Sequence, residues 1–210
     1  NKQQVISIAN VFDNSGVYLA GACNPIVEVE KYPQELEKLI NELFETLLSG
    51  EKNVHLIFHI YKSVGKKAEI RALEKVIARY KDVNISYAFV HLNYGHNFRL
   101  YNNDGRDNLK KGQYIRLNSL DSLVVVNDKG SIPLRITIDK RSSFKDIYYI
   151  SQQAFFFSHL SERSFMPSKK PITILYPSIM ANLIEKLKIV EKWDYDKLRV
   201  KGVTEKLWFL

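Results

Sequence analysis

Cysteine is all but missing from this chain. Cys23 is the single one, so no internal disulfide and no cysteine-built zinc site can form. Glycine (9) and proline (6) are sparse for 210 residues, which excludes a collagen-like repeat and a low-complexity linker. No apolar run reaches the roughly 18 residues that a membrane span needs, and no signal peptide opens the chain. Also lacking are a Gly-rich phosphate loop, a nucleophile elbow and any Cys/His metal motif. There is no Met at position 1, and the polar Asn1-Lys2-Gln3-Gln4 leads straight into a strand pattern. The expectation is the C-terminal piece of a longer protein, in a reducing cytoplasmic setting and away from membranes.

Positive charge is what the chain has in excess. Lys and Arg number 31 against 23 Asp and Glu, for a net charge of +8 and a pI near 9.4. Such an excess favours polyanionic partners. A chain that is 45% hydrophobic can bury a core of its own, so one domain is expected.

The periodicity changes along the chain in a readable order. Val5 to Phe12 is β-branched and apolar, Asp13-Asn14-Ser15-Gly16 is a turn cluster, and Val17 to Gly21 returns as the second arm of a hairpin. Pro33 starts a helix whose Leu36, Leu39, Ile40, Leu43, Phe44 and Leu47 share one face, and Ser49-Gly50 closes it. Val54 to Ile60 and Ile85 to Val90 are short continuous apolar runs of buried-strand type, with a helix through Ile70, Leu73, Val76 and Ile77 between them. This β-β-α-β-α-β order predicts a mixed sheet with helices against it. Asn93 to Gly112 is polar and aperiodic, long for a plain connection, and so a functional-loop candidate. Strands are predicted over Tyr114–Leu117, Leu123–Val126, Ile132–Ile138 and Pro171–Tyr176, and helices over Phe144–Leu160 and Ser178–Val190.

Two-metal nucleases need carboxylates converging on the sheet. The strands Val54–Ile60 and Ile85–Val90 contain none, and the acids at Glu35, Glu37, Glu42, Glu45, Glu69 and Glu74 fall on helix faces. His55 and His59 lie on one strand without an evident third ligand, which favours a core or groove role over metal. Basic residues cluster at Lys62, Lys66, Lys67 and Arg71; at Arg99, Arg106, Lys110 and Lys111; at Arg135, Lys140 and Arg141; at Lys169 and Lys170; and at Lys186 and Lys188. Many follow strand ends and could line a sheet edge, while a solvated surface would read the same way. Composition and spacing stop at a basic α/β domain.

Four segments go further. Ser7-Ile8-Ala9-Asn10-Val11-Phe12-Asp13-Asn14-Ser15-Gly16 is similar to a strand hairpin of bacterial PIWI domains, the RNase H-like part of Argonaute proteins. Tyr61-Lys62-Ser63 stands where that family has Tyr-Arg-Asp. Asn93 to Arg99, continuing through Leu100-Tyr101, resembles its guide-contacting basic segment. Ser161-Glu162-Arg163-Ser164-Phe165-Met166-Pro167, followed by Pro171 to Tyr176, resembles the Trp-Arg-Ser-Phe-Leu-Pro stretch of short prokaryotic Argonautes. The shared order spans almost the whole chain.

The resemblance implies an RNase H-like α/β fold, a mixed sheet flanked by helices, over residues 1–210, with a MID domain and a first PIWI strand upstream. It implies a small guide strand, RNA by expectation, paired to a complementary target, by expectation single-stranded DNA. Contacts to nucleic acid are expected from His96, Arg99, Lys170, Tyr176 and Lys186. Acids that hold catalytic metal in active members fall on Ser63 and Ser178 here, so the resemblance implies an inactive member. Its chemistry would then reside in a partner carrying an Argonaute-associated domain with a TIR or sirtuin-like effector, in anti-invader defence. The Leu210 carboxylate would lie near the guide 5′ end and share Mg²⁺ with its phosphate. Two other classes stay open: an active guided endonuclease with displaced ligands, and an RNase H-like scaffold that carries no guide.

Overall fold

In a computed structural model of the chain, residues 4–60, 66–101, 109–127, 132–161 and 167–187 are described, together with 189, 190, 194, 197, 198, 206 and 207. Asp13 makes the first turn. Its Oδ1 accepts the Ser15 and Val17 N–H groups, both at 2.9 Å, and the Ser15 hydroxyl at 2.7 Å. Gly16 takes the left-handed φ of 90° that a side chain would resist. The turn joins β1 (Gln4–Phe12) to β2 (Tyr18–Glu28) as an antiparallel pair that forms its own two-stranded sheet. The turn chemistry is local and was readable. The expected mixed sheet counted these two strands, but among the described residues they pair only with each other, because joining a hairpin to another sheet depends on long-range pairing that a local pattern does not encode.

The chain divides into two compact units. In the first, a short 3-10 turn (Val29–Lys31) leads into α1 (Tyr32–Leu47), with Pro33 in its opening turn, where a missing N–H costs nothing. The helix buries Leu39, Ile40, Leu43 and Phe44, and Leu39 and Leu43 pack on Ala20 of the hairpin with Ala9, Val11 and Ala22 around them. α2 (Lys66–Ile77) lies on α1 with Ile70, Leu73 and Val76 buried. Its Glu69 accepts a hydrogen bond from the Tyr32 hydroxyl at 3.1 Å, which ties the two helices at a mostly apolar contact. Each fully buried Leu or Ile contributes about 1.5–3 kcal/mol, so this seam outweighs the exposed Glu37–Lys75 and Glu37–Arg79 ion pairs beside it.

The second unit is built on a five-stranded mixed sheet of order β3-β4-β7-β6-β5, comprising β3 (Asn53–Ile60), β4 (Asn84–Asn93), β5 (Tyr114–Arg116), β6 (Asp121–Val124) and β7 (Leu134–Ile138). The first two residues of β3 and of β4 belong to the first unit. β4 with β7, β7 with β6 and β6 with β5 are antiparallel. β7 alternates strictly between buried Leu134, Ile136, Ile138 and half-buried Arg135, Thr137, as a strand with one face in the core must. That core face is covered by α3 (Ile147–Phe157), which contributes Ile147, Ile150 and Ala154. Asp146 caps the helix by accepting the Tyr149 N–H at 3.0 Å.

One predicted strand is not a strand. Pro171–Tyr176 was expected as β structure, but α4 runs from Ile172 to Leu187 and takes in Tyr176 and the predicted helix after it. The run Ile172-Thr173-Ile174-Leu175-Tyr176 has strand-like composition, and a short apolar run does not reveal its period. Burial of Ile172, Tyr176, Met180 and Ile184 at steps of four settles the helix. Pro177 sits inside it. Among the described residues no helix is long and apolar enough to cross a membrane.

Candidate nucleic-acid interface

The polar loop after β4 is held by its own side chains. Asn93 Oδ1 accepts the Gly95 N–H at 2.6 Å, reversing the chain. His96 then spends both ring nitrogens on backbone. Nε2 lies 2.9 Å from the Pro133 carbonyl, and the Phe98 N–H reaches Nδ1 at 3.2 Å. A carbonyl only accepts and an amide N–H only donates, so the neutral ring with its proton on Nε2 satisfies both. His96 was expected to touch nucleic acid. In this structure it positions the loop, and its nitrogens are already engaged.

Arg99 follows on the same turn. Its Nη1 donates to the carbonyls of His96 and Phe98, both at 2.9 Å, and the side chain is exposed. Among the described residues no carboxylate pairs with it, so a strong cation with further N–H donors stands on a braced loop. Beside it, Phe98 is clamped by Arg135, which the sequence offered only as part of a basic cluster, with no sign of its partners. The Arg135 guanidinium lies 5.4 Å from the Phe98 ring centroid and is held by Asp121 through Nε, at 3.0 and 3.2 Å, and through Nη2. Thr137 adds a hydroxyl donor to Asp121 at 3.0 Å. Asp121 is only 6% exposed, and it faces Thr137 while Arg135 faces Leu123 in the β6–β7 ladder. The charge pair is therefore a cross-strand diagonal. The strand expected from the sequence starts at Leu123 and does not take in Asp121, so the pattern does not show the pair.

The second basic segment docks beside this loop. The Tyr94 hydroxyl donates to the Lys169 carbonyl, the Ser168 N–H reaches Ser158 O at 2.8 Å, and the Lys170 N–H reaches Ser168 Oγ at 3.2 Å. Lys169 is exposed and Lys170 half-buried. Tertiary structure thus joins two basic segments, Asn93–Tyr101 and Lys169–Lys170, that lie far apart in the chain.

The other expected residues fare differently. Tyr176 is 1% exposed with its ring 5.9 Å from Phe12, so on the buried stripe of α4 it acts as a packing residue. Ser178 is half-buried one residue after Pro177, and Lys186 is exposed in the last turn of α4. Ser63 and Leu210 lie outside the described residues, as do Lys62, Trp208 and Phe209. His55 Nδ1 is taken by Ser86 Oγ, and His59 Nδ1 lies 2.7 Å from Thr173 Oγ1. Burial drives the His59 ring down to a pKa of about 4, keeping it neutral. Among the described residues no three His, Cys, Asp or Glu side chains gather as a metal would require.

No family model matches the chain. A curated relative, the Argonaute of Cereibacter sphaeroides (strain ATCC 17025 / ATH 2.4.3), is 27% identical over 239 residues, a match that takes in the whole of this chain. The chain spans 30% of that protein's length. Among solved structures, A. aeolicus Argonaute superposes with a TM-score of 0.67 at 18% identity, covering 91% of this chain and 26% of that one. Marinitoga piezophila Argonaute, in complex with a 5′-OH guide RNA, gives 0.59 at 16% identity over 84% of this chain and 29% of that one. In sequence along its whole length, and in fold over most of it, this chain is similar to Argonaute and forms a PIWI-like, RNase H-like α/β domain.

Proposed function

We propose that this chain is the PIWI part of a short, catalytically inactive prokaryotic Argonaute that holds a small guide strand and its complementary target. The observation that carries the reading is the braced cation Arg99, on a loop that Tyr94 ties to the Lys169–Lys170 segment, within an Argonaute-type fold. A strand backbone is a row of phosphates, and exposed Arg and Lys side chains on a rigid loop suit it whatever the base sequence. Sequence would be read by base pairing to the guide.

Inactivity rests on Ser63 and Ser178, which stand where active members of the resembling family have acids. Hydroxyls do not supply the anionic charge that a pair of Mg²⁺ ions demands. Target binding would then be reported by a partner with an Argonaute-associated domain and a TIR or sirtuin-like effector. At the guide 5′ end, the Leu210 carboxylate and a phosphate would repel unless a cation stood between them, and a set of hard oxygen donors suits Mg²⁺. The test is to purify the full-length protein and sequence the nucleic acid that comes with it. Short strands of uniform length, with no metal-dependent cutting of a matched target, are expected. Guide-dependent cut product that a chelator abolishes would replace this reading with an active endonuclease. Protein free of small nucleic acid would favour a scaffold without a guide.

A further inference from the structure

The two faces of the five-stranded sheet carry different chemistry. Asp121, Arg135 and Thr137 project on the face where Phe98 of the basic loop is clamped. Ser122 and Ile136 project on the opposite face, under α3, where Ser122 Oγ meets Ser151 Oγ at 2.8 Å. The outer side of α3 thus lies across the sheet from the Arg99 loop. It exposes Tyr148 (54%), Tyr149 (36%) and Phe156 (42%), with Gln152 and His159 completing the stripe. The stripe carries no Lys, Arg, Asp or Glu and no aliphatic side chain. At 1.5 Å per residue, Tyr148 and Phe156 stand about 12 Å apart along the helix.

A cationic segment borders the stripe. Leu109 to Leu117 holds Lys110, Lys111 and Arg116 and no acid. It is fastened to α3 at two points. The Tyr114 ring meets Tyr148 edge-on at 5.3 Å, and the Phe155 ring lies 3.6 Å from where a Cβ would stand on Gly112. Asp146, the acid at the start of α3, has its carboxylate turned to the helix N-terminus as the cap. Lys145 precedes it and is exposed. At the other end His159 Nδ1 donates to Phe155 O at 2.8 Å, holding the imidazole against the Phe155 ring.

We propose that this face is a second nucleic-acid surface, on which unpaired bases of a single strand stack on Tyr148, Tyr149 and Phe156 while Lys110, Lys111 and Arg116 meet its phosphates. Rows of exposed rings bordered by cations are how single strands are held without sequence preference, since every base has a π-face. An apolar protein surface would match the rings but would not answer the positive charge of Lys110 and Arg116. The site serves a different strand segment from the guide site, and it stands or falls separately.

The probe is a short oligothymidylate without a 5′-phosphate, carrying one 5-iodouracil, added to protein already loaded with a 5′-phosphorylated guide and matched target. Irradiation should cross-link the probe to the peptide containing Ile147–Phe157. Tyr148→Ala/Phe156→Ala should weaken probe binding by about tenfold or more while guide loading is kept. Tyr148→Phe/Phe156→Tyr, which retains both rings, should bind as the parent does. Cross-links confined to other peptides, or unchanged affinity of the alanine variant, overturn the proposal. If loading of the guide itself fails in the parent, the reading of the Arg99 site is what has failed.

Discussion

Replacing Asp121 by asparagine tests the clamp beneath the basic loop. The carboxylate accepts from Arg135 Nε at 3.0 and 3.2 Å, from Arg135 Nη2, and from the Thr137 hydroxyl at 3.0 Å. Asparagine keeps one acceptor for Thr137 but sets an NH₂ against a guanidinium and removes the countercharge. Breaking a fully buried ion pair from one side costs about 3–5 kcal/mol, and a charged hydrogen bond is worth about 1.5–3 kcal/mol. The Arg135 side chain is 34% exposed, so water reaches its guanidinium and the lower figures apply. The expected loss is about 2–3 kcal/mol, read from urea unfolding by linear extrapolation. A double variant, Asp121→Leu/Arg135→Met, should lose less than Asp121→Leu alone, because no charge is left without a partner. An Asp121→Asn protein within about 0.5 kcal/mol of the parent would refute the reasoning. So would a double variant whose loss equals the sum of the two single ones.

If Arg99 binds a guide phosphate, Arg99→Ala should lower the log–log salt slope of guide binding by about one unit, measured by titration at several ionic strengths. His59 gives the protein an acid limit. Its folded pKa of about 4 lies below the ordinary histidine value of 6.5, so the unfolded chain takes up the proton first and stability falls as pH drops through that window. The loss should approach about 3 kcal/mol at the acid end, and His59→Gln should flatten the pH dependence of the urea midpoint. Gly21→Ala should destabilise by about 1–3 kcal/mol, because the new Cβ would strike the Tyr18 hydroxyl and stand 3.0 Å from Asn10 Oδ1. Thermal unfolding checks this, and Tyr18→Phe in the same chain should recover part of the loss.

Different parts of the molecule were legible to different degrees. The hairpin was readable because Asp13 and Gly16 act within four residues of one another. α1 was readable because its apolar residues repeat at helical spacing and Pro33 marks the start. Arg99 was legible through the basic segment around it. Lys169 and Lys170 were legible as a cluster, but their place beside that loop was not, since the Tyr94 hydroxyl and the fold of the residues between bring them there. His96 and Tyr176 drew attention as residue types suited to binding. Whether a ring is free or already engaged is a property of its surroundings.

By itself the amino-acid sequence determined what depends on near neighbours: the turns, the periodic helices, the excess of cations and the order of elements that resembles a PIWI domain. Tertiary structure alone decided whether Ile172 to Tyr176 would be strand or helix, since five apolar residues satisfy either period and burial at steps of four selects one. It alone decided the Asp121–Arg135–Phe98 clamp, whose members come from two strands and a loop. It also set the aromatic stripe of α3 beside the cations of Leu109–Leu117. The physical reason is the same in each case. Packing and charge pairing act through space at a few ångströms, and the residues they join can lie anywhere along the chain.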